Sequence, residues 1–456
     1  MRVDTKARLT FPGGTHPPES KDLTRNREIQ VGPAVKEVAI MLSQHTGAAC
    51  SPVVGQGDAV KAGQKIGDSD AHISAPVHSP VDGRVKEIGL RPHAVLGRSP
   101  AIVIEVSDPS SVRHSSFELR ADFNEGSYSP EQIRNSVRNA GIVGMGGGGF
   151  PTSVKLGADS KTPREVLIVN GCECEPYITC DYRIMLEWAS RIIVGIKLAK
   201  RASGCPKVFM GIEDNKSEAI NAMNAAVKAT AGAEGIEVAP VRTKYPQGGE
   251  RQLIKAILNK SVPSGGIPPM IGVVVLNVAT VAAIAEVVVC GRPLTHRVVT
   301  VTGEAVAKPG NYYVPIGTLI EDLIGFCGGA AENAAKIIVG GPMMGIAIAD
   351  LKTPITKTTG AITVLTEDQV VRKLERQQTP CIHCGRCLEV CPEQLVPTKI
   401  AHAVKNNLFD VAERYHIRAC MECGCCSYVC PANIELAGYI KTGKIFLARQ
   451  EKRMPA

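Results

Sequence analysis

Two cysteine runs near the end of the chain have the residue types and spacing of a metal centre. The first reads Cys381-Ile-His-Cys384-Gly-Arg-Cys387-Leu-Glu-Val-Cys391-Pro392, and the second reads Cys420-Met-Glu-Cys423-Gly-Cys-Cys426-Ser-Tyr-Val-Cys430-Pro431. Both follow C-x2-C-x2-C-x3-C-P, the ligand pattern of paired [4Fe–4S] clusters, in which the fourth cysteine of each run ligates the other cluster. The pattern therefore predicts two ligand sets, which are Cys381, Cys384, Cys387 and Cys430 for one cluster and Cys420, Cys423, Cys426 and Cys391 for the other.

Zinc sites and disulfides are the alternative uses of so many cysteines. Structural zinc sites rarely repeat a four-cysteine run of this form. The chain has 16 cysteines, and those outside the two ligand sets are scattered without the spacing of a secreted disulfide scaffold. Free thiols and oxygen-sensitive clusters both indicate a reducing compartment. These eight residues are Cys50, Cys172, Cys174, Cys180, Cys205, Cys290, Cys327 and Cys425.

A glycine loop is the second candidate for chemistry. It reads Gly141-Ile-Val-Gly144-Met-Gly146-Gly147-Gly148-Gly149-Phe150-Pro151-Thr152. Glycines let a backbone approach a planar or anionic ligand closely, and the amides of such a loop can cradle phosphate. The loop lacks the Lys-Ser/Thr ending of a P-loop, and no clear strand precedes it as in a Rossmann fingerprint. Alone, it is equally consistent with a plain flexible loop.

The residues that follow the loop favour a ligand site. An apolar strand runs into Asn170-Gly-Cys172-Glu173-Cys174-Glu175-Pro176, and ligands of open α/β sheets bind at the carboxyl ends of strands. Two further polar segments are Lys244-Tyr-Pro-Gln-Gly248-Gly249-Glu250 and Asn277-Val-Ala-Thr280. We expect these segments to meet the glycine loop at one edge of a sheet.

Composition limits the partners of the chain. The N-terminus lacks the apolar core of a signal peptide. Residues 271–290 are long enough to span a membrane, but Asn277, Thr280 and Glu286 interrupt them, so we expect a strand, a polar turn and a helix. The net charge of +8 allows docking of an acidic redox partner or an anionic lipid surface. Nothing in the pattern indicates nucleic-acid binding.

The modules that would position these motifs can be placed along the chain. The 456 residues are enough for about three domains. Residues 1–29 predict an extended arm, and residues 30–107 alternate apolar residues with Gly, Asp and Pro, which favours hairpins. This segment resembles the barrel-sandwich hybrid of lipoyl and biotinyl carriers, but its hairpin tip is Pro76-Val-His78-Ser instead of a modifiable lysine. We therefore expect a structural or docking module and not a swinging arm.

Residues 108–129 predict a polar linker, and residues 130–296 an α/β domain with a largely parallel sheet. Helices are expected over 130–140, 184–201 and 218–230, and strands over 165–169 and 207–211. Residues 297–350 predict a small strand-rich unit. Residues 351–456 predict a helical domain around the cysteine runs, with one helix over 396–415.

The order of the motifs resembles a known family. The series G-x-G-G-x-G-F-P, N-x-x-E-x-E-P, G-G-E-x-x-L and x-N-V-x-T is similar to the FMN- and NADH-binding subunit of respiratory complex I, in which a β-grasp module of the SLBB type follows. With the hybrid barrel, the arm segment Gly13-Gly-Thr-His-Pro-Pro18-Glu-Ser-Lys21 and the two-cluster ferredoxin-like end, the whole chain resembles the RnfC family of the Rnf ion-pumping ferredoxin:NAD⁺ oxidoreductases. The resemblance implies a multidomain α/β fold that contains these modules.

The resemblance also implies roles for matching residues. The flavin would be walled by Gly144, Gly146, Gly147, Gly149 and Phe150, and FMN would accept or donate hydrogen bonds at Asn170, Asn277 and Thr280. Glu173 and Glu175 would lie near the nicotinamide, with Glu250 as a more remote supporting residue. No side chain is expected to act as an acid or base. One departure is Cys172, where complex I subunits usually carry an acid, and this bears on nicotinamide binding more than on FMN. Cys172 and Cys174 are expected to be buried filler, and Cys425 a bystander beside Cys426.

The function implied by the resemblance is electron transfer between NAD(H), non-covalent FMN, two [4Fe–4S] clusters and a partner subunit, coupled by the complex to ion translocation. The chain would be peripheral on the cytoplasmic face of the membrane, with the membrane subunits and the ferredoxin-type subunit as partners and ferredoxin met indirectly. One alternative is a cobalamin reductase of the microcompartment type, against which the N-terminal barrel speaks. Another is a relay or scaffold subunit without nicotinamide turnover, which Cys172 favours. The sequence leaves the coupling ion and the direction of electron flow open.

Overall fold

The chain is described by a computed structural model over residues 9–108, 117–119, 123–157, 162–374 and 377–453. Parts of the predicted arm and linker, residues 1–8, 109–116 and 120–122, lie outside the described residues. The architecture is the multidomain α/β fold that the sequence predicts, with an all-β N-terminal module and a helical C-terminal one. No helix among the described residues is both long and apolar enough to cross a membrane.

The N-terminal module is a sandwich of two small antiparallel sheets, ordered β2-β8-β7-β4 and β3-β5-β6. Buried Val and Ile side chains fill the space between them. The hairpin tip around Pro76 is buried and not exposed, because the Lys357 ammonium donates to the carbonyls of Pro76 and Gly141 at 2.6 and 2.7 Å. The module is therefore pinned to the rest of the chain. Its strands, with the arm strand first, are β1 (Ile29–Val31), β2 (Glu37–Met41), β3 (Ser51–Pro52), β4 (Ala59–Val60), β5 (Lys65–Asp68), β6 (Val77–His78), β7 (Gly83–His93) and β8 (Gly97–Val106).

The central domain is a four-stranded, wholly parallel sheet in the order β11-β10-β9-β12. Apolar helices cover both faces, and the two resulting cores lie on either side of the strands. The expectation for residues 271–290 is confirmed, since β12 runs directly into α7. The elements are α1 (Pro130–Asn139), α2 (Thr152–Lys155), β9 (Val166–Asn170), α3 (Cys180–Glu187), α4 (Ala189–Ser203), β10 (Lys207–Glu213), α5 (Ser217–Ala229), β11 (Ile236–Val241), α6 (Glu250–Leu258), β12 (Val273–Asn277) and α7 (Val278–Cys290).

The single helix predicted over 184–201 is wrong. The structure has α3 and α4, which meet at Trp188, whose backbone leaves the helical region at φ −119° and ψ 29°. The Trp188 ring lies 4.4 Å from the Arg191 guanidinium carbon and packs edge-on against Tyr313 at 5.9 Å. Tertiary packing of this ring accompanies the break, a contact that helical periodicity does not show.

The β-grasp unit is a six-stranded sheet in the order β1-β14-β13-β17-β15-β16. It draws β1 from the N-terminal arm, in parallel register with β14, and β17 from beyond the predicted 297–350 range. The unit therefore joins segments from before and after the central domain in one sheet. Its elements are β13 (His296–Thr302), β14 (Gly310–Pro315), α8 (Ile320–Phe326), β15 (Ala334–Val339), β16 (Ile346–Ile348) and β17 (Ala361–Thr366).

The C-terminal module is helical and carries both cysteine runs. The single helix predicted over 396–415 is wrong, because the chain leaves the helix at Asn406 and adopts a left-handed conformation at Asn407, with φ +57°. Short polar residues tolerate this conformation, which ends a helix. The helices are α9 (Glu367–Leu374), α10 (Arg386–Glu389), α11 (Pro397–Lys405), α12 (Phe409–Arg414), α13 (Cys425–Tyr428) and α14 (Leu436–Arg453).

Candidate flavin and iron–sulfur sites

The carboxyl edge of the parallel sheet brings the predicted polar residues together. Asn170 at the end of β9 lies in register with Asn277 at the end of β12. The Asn170 amide donates to the Gly248 carbonyl at 2.8 Å, and its oxygen accepts from the Cys172 amide at 3.2 Å. The Asn277 oxygen caps α7 by accepting from the Ala279 amide at 2.8 Å. Each asparagine thus fixes one loop at the strand ends, where a ligand of an open α/β sheet binds.

The glycine loop closes on itself beside these asparagines. The Gly144 amide donates to the Phe150 carbonyl at 2.9 Å, and the Gly149 amide donates back to Gly144 at 3.0 Å. At the tip, a Cβ added at Gly147 or Gly148 would meet no atom within 4 Å. The tip therefore presents bare backbone to open space at the sheet edge.

Other parts of the chain hold the loop from both sides. The Met145 amide donates to the fully buried Thr280 hydroxyl at 2.9 Å. A Cβ at Gly146 would lie only 3.3 Å from the Asn277 side chain. On the other side, the Thr46 hydroxyl of the N-terminal module donates to the Gly148 carbonyl at 2.9 Å. Direct bonds from Asn277 or Thr280 to FMN remain a prediction, since both side chains support the loop and helix here.

These residues fit a flavin nucleotide. Bare amides suit phosphate or the edge of a planar ring, because no side chain separates them from the ligand. Asparagine side chains both donate and accept, as the isoalloxazine edge requires. The cradle at Gly147 and Gly148 is the space that any side chain would fill. The phosphate and ring of FMN therefore have partners of the right chemistry at this edge.

The two predicted glutamates are held by backbone amides. The Glu173 carboxylate accepts from the Asp181 and Tyr182 amides at 2.6 and 3.2 Å, at the start of α3. The Glu175 carboxylate accepts from the Met343 and Met344 amides at 2.7 and 3.2 Å. Burial raises the pKa of both carboxyl groups. They shape an acidic turn that links the flavin domain to the β-grasp unit.

The two cysteines of the acidic turn are neutral thiols in this environment. Cys172 is fully buried, and burial raises its pKa well above the ordinary value. Cys174 accepts a hydrogen bond from the Gly248 amide at 3.2 Å, and burial raises its pKa to about 12. Since the thiolate is the reactive form of cysteine, the structure favours the expected filler role.

Sequence reasoning missed Lys155 and Asp181, which both contact the predicted set. The Lys155 ammonium, just after the glycine loop, pairs with the Glu250 carboxylate at 2.7 Å. The Asp181 carboxylate accepts from the Asn277 amide at 2.6 Å. A lone lysine in a short helix and an isolated aspartate carry no pattern, so only the fold reveals them.

The two cysteine runs adopt the same local geometry. In each run a residue between the first two cysteines has a positive φ, +55° at His383 and +61° at Glu422. Its amide lies 3.4 Å from the sulfur of the first cysteine, Cys381 or Cys420. Four residues after Cys391 and Cys430, the amides of Leu395 and Ile434 lie 3.3 and 3.4 Å from those sulfurs. Amides aimed at cysteine sulfurs are typical of cluster-binding loops, where they tune the potential.

In the folded chain, the fourth cysteine of each run lies beside cysteines of the other run. Cys391 lines one small cavity with Cys420, Cys423 and Cys426. Burial first, and then the neighbouring thiols of Cys423 and Cys420, raise the pKa of Cys426 to about 12. Burial and the thiols of Cys384 and Cys430 likewise raise the pKa of Cys387. For these seven cysteines the grouping agrees with the predicted sets, while the place of Cys381 in its set and ligation itself remain predictions. The thiols fit thiolate-bound iron, because bound metal deprotonates a coordinating thiol.

The second-run cysteines face the flavin domain. The Tyr245 hydroxyl donates to the Cys423 carbonyl at 2.8 Å, and Tyr245 shares a small core with Cys423, Cys425 and Cys174. The Gln252 amide donates to the Glu393 carboxylate at 2.8 Å. In the first run, by contrast, Cys384 is exposed. The two predicted clusters therefore differ in position, one against the flavin domain and one at the surface.

Four family models match successive parts of the chain. They are described as the RnfC barrel sandwich hybrid domain over residues 9–108, the Nuo51 FMN-binding domain over 137–286, the SLBB domain over 298–347 and the 4Fe-4S dicluster domain over 380–434. The chain thus combines FMN-binding and iron–sulfur modules in the order that the motifs predict.

Curated relatives match almost the whole chain. The C subunit of the proton-translocating ferredoxin:NAD(+) oxidoreductase complex of Clostridium ljungdahlii is 42% identical, covering 90% of this chain and 87% of the relative. The C subunit of the Na(+)-translocating complex of Acetobacterium woodii is 40% identical, covering 89% of each. The C subunit of the ion-translocating oxidoreductase complex of Rhodobacter capsulatus is 38% identical, covering 99% and 87%. Relatives named for either ion are about equally similar, so identity to this chain does not separate the two.

A solved structure shares the fold. A chain of an NAD+-reducing [NiFe]-hydrogenase in the air-oxidized state superposes with a TM-score of 0.52 at 22% identity. The match covers 71% of this chain and 62% of the hydrogenase chain, so it spans less than two thirds of that protein. At this identity the match supports the fold alone.

Proposed function

Because this chain belongs to the RnfC family, the C subunits of ion-translocating ferredoxin:NAD(+) oxidoreductase complexes, we propose that it is the subunit at which NAD(H) exchanges electrons with the complex. It is a peripheral electron-transfer subunit that carries FMN and [4Fe–4S] clusters. The observation that carries the proposal is the open glycine tip at the sheet edge, which lies in the same domain as the acidic turn.

In this proposal the residues of the chain bind and orient FMN and the nicotinamide. FMN, when bound, exchanges a hydride with nicotinamide and single electrons with a cluster. Gly144, Gly146, Gly147, Gly149 and Phe150 would form the wall of its site. The asparagines at the strand ends would orient it, and the acidic turn would receive the nicotinamide. The residues of this set are Asn170, Glu173, Glu175, Glu250, Asn277 and Thr280.

The positions of the cysteine sets favour an order of the two clusters between the flavin and a partner subunit. The set completed by Cys391 packs against the flavin domain through Tyr245, so we assign it the inner cluster. The set completed by Cys430 has an exposed member, Cys384, and we assign it the outer cluster, which meets a partner subunit. We further propose that the partners are the membrane and ferredoxin-type subunits of the complex, at the cytoplasmic face.

An anaerobic NADH titration of the FMN- and cluster-reconstituted chain tests the proposal. Absorbance of the flavin and of the clusters is followed together, and dithionite serves as the control reductant. We expect NADH to bleach the flavin first and the clusters afterwards. Reduction by dithionite but not by NADH would contradict the proposal.

That negative result would favour a relay subunit without nicotinamide turnover. The observation on its side is Cys172, a neutral buried thiol at the position where the complex I family usually has an acid. The cobalamin-reductase alternative has less support, since the N-terminal barrel matches the RnfC family model over residues 9–108.

A further inference from the structure

The N-terminal arm places one buried lysine against the acidic turn. Lys21 is only 7% exposed, and its ammonium donates to three carbonyls of the turn. The distances are 2.8 Å to Glu173, 2.9 Å to Glu175 and 2.5 Å to Ile178. A lysine ammonium has three donors, so all of them are used and none remains for a substrate.

The turn that receives this ammonium has an unusual backbone. Glu173 and Tyr177 both have a positive φ, +48° and +70°, a conformation that non-glycine residues rarely adopt. Three carbonyl oxygens that converge on one point repel each other unless a cation or donor lies between them. The Tyr177 amide adds a tie to the arm by donating to the Glu19 carbonyl at 2.9 Å. Lys21 therefore fills a carbonyl cradle and compensates part of the negative charge of the turn.

A second lysine in the region already has its own carboxylate. Lys216 pairs with Glu213 at 2.7 Å, and both side chains are buried. Lys21 contacts the turn through carbonyl oxygens instead. The two lysines therefore have different partners. Lys216 forms an ion pair at the end of the sheet, whereas Lys21 binds the backbone of the acidic turn.

We infer that Lys21 is a positioning residue of the nicotinamide side of the site, a buried donor that holds the backbone of Glu173 and Glu175 in place without touching the substrate. The inference rests on the function proposed above. It makes the arm a functional part of the site, although the arm precedes the flavin domain by more than a hundred residues.

The arm has other anchors that do not involve the turn, which provides a matched control. The Lys244 ammonium donates to the Phe11 carbonyl at 2.5 Å and lies 4.0 Å from the centre of the Phe11 ring. The Gly14 amide donates to the Val390 carbonyl at 2.8 Å. Phe11 itself is buried, so Phe11→Ala weakens arm docking without removing the Lys21 ammonium from the three carbonyls.

The test compares Lys21→Ala, Phe11→Ala and the wild type, each as the full chain loaded with FMN and clusters. The NADH concentration that half-reduces the flavin is measured anaerobically, together with FMN affinity and iron content. For Lys21→Ala we expect this NADH concentration to rise by about tenfold or more, since a charge-assisted contact is lost, while FMN affinity and iron content stay near wild type. n-Propylammonium, which replaces the missing atoms, should lower the NADH concentration again, and 1-propanol of similar size should not.

Three outcomes would overturn the inference. They are an unchanged NADH titration of Lys21→Ala, an equal rise in Phe11→Ala, and a loss of FMN affinity as large as the loss in NADH response. A wild-type chain that NADH does not reduce would overturn the proposed function itself. The two failures are distinguishable, because only the second is observed in the wild-type chain.

Discussion

The substitution Gly148→Val should weaken FMN binding while leaving the protein folded. A Cβ at this position meets no atom within 4 Å, and Gly148 is not among the glycines with a positive φ. Its backbone carbonyl, which accepts from Thr46, is unaffected by the substitution. Gly148→Val therefore has space for its side chain only as long as no ligand lies against the loop tip.

The expected magnitude follows from overpacking. Inserting a branched side chain between two surfaces in contact costs about 1–3 kcal/mol, which corresponds to a loss of FMN affinity of roughly five- to 150-fold. The thermal midpoint of the FMN-free chain should stay near that of the wild type, because surface substitutions without a clash change stability little.

The assay is an anaerobic titration of FMN with the FMN-free chain, followed by quenching of flavin fluorescence. Gly325→Ala is the matched control, because that position in α8 also has open space and lies in a helix outside the flavin domain. Wild-type FMN affinity in Gly148→Val would refute the assignment of the loop tip as the wall of the flavin site.

Three further predictions concern other parts of the chain. Cys391→Ser should remove about half of the bound iron, since one of two clusters loses a ligand. The control variant Cys425→Ser should keep all of the iron. Iron analysis and EPR of the remaining cluster check this, and equal iron loss in both variants would contradict the assignment. Thr280→Val should lower stability by about 1–2 kcal/mol, because the buried Met145 amide loses its acceptor; urea unfolding measures it, and no change would mean that the amide finds another partner. Burial first, and then the charge of Lys357, lower the pKa of His78 to about 3 from 6.5. The unfolded chain therefore binds more protons between these values, so this contribution to stability is present above about pH 6.5 and is lost as the pH falls toward 3. At pH 5 the loss is about 2 kcal/mol, and His78→Gln should remove that part of the pH dependence of urea unfolding.

The sequence predicts those parts of this protein whose residues form a recognisable pattern within a short segment. The cysteine runs, the glycine loop and the polar ends of β9 and β12 are all contained in short segments, and Asn277 could be recognised as the turn between strand and helix. The break at Trp188 could not be predicted, because it coincides with ring contacts to Arg191 and Tyr313 that lie in different elements. Periodicity continues across such a break.

Long-range contacts account for what the sequence did not reveal about the site. Lys21 lies 152 residues before the first carbonyl it contacts, and nothing around it in the sequence refers to the acidic turn. The addition of β1 to the β-grasp sheet is of the same kind, since Ile29 pairs with Asn311 across the whole flavin domain.

The path of the arm also has a consequence for biosynthesis. The arm leaves the ribosome before the modules on which it docks, because its docking sites lie at Val241, Tyr313 and Val390, which are made much later. Domains generally fold in order as they emerge, starting from the N-terminal end. The arm is therefore translated before these modules and docks only after them, so its docking reports that the sheet edge, the β-grasp unit and the cysteine loops have all formed.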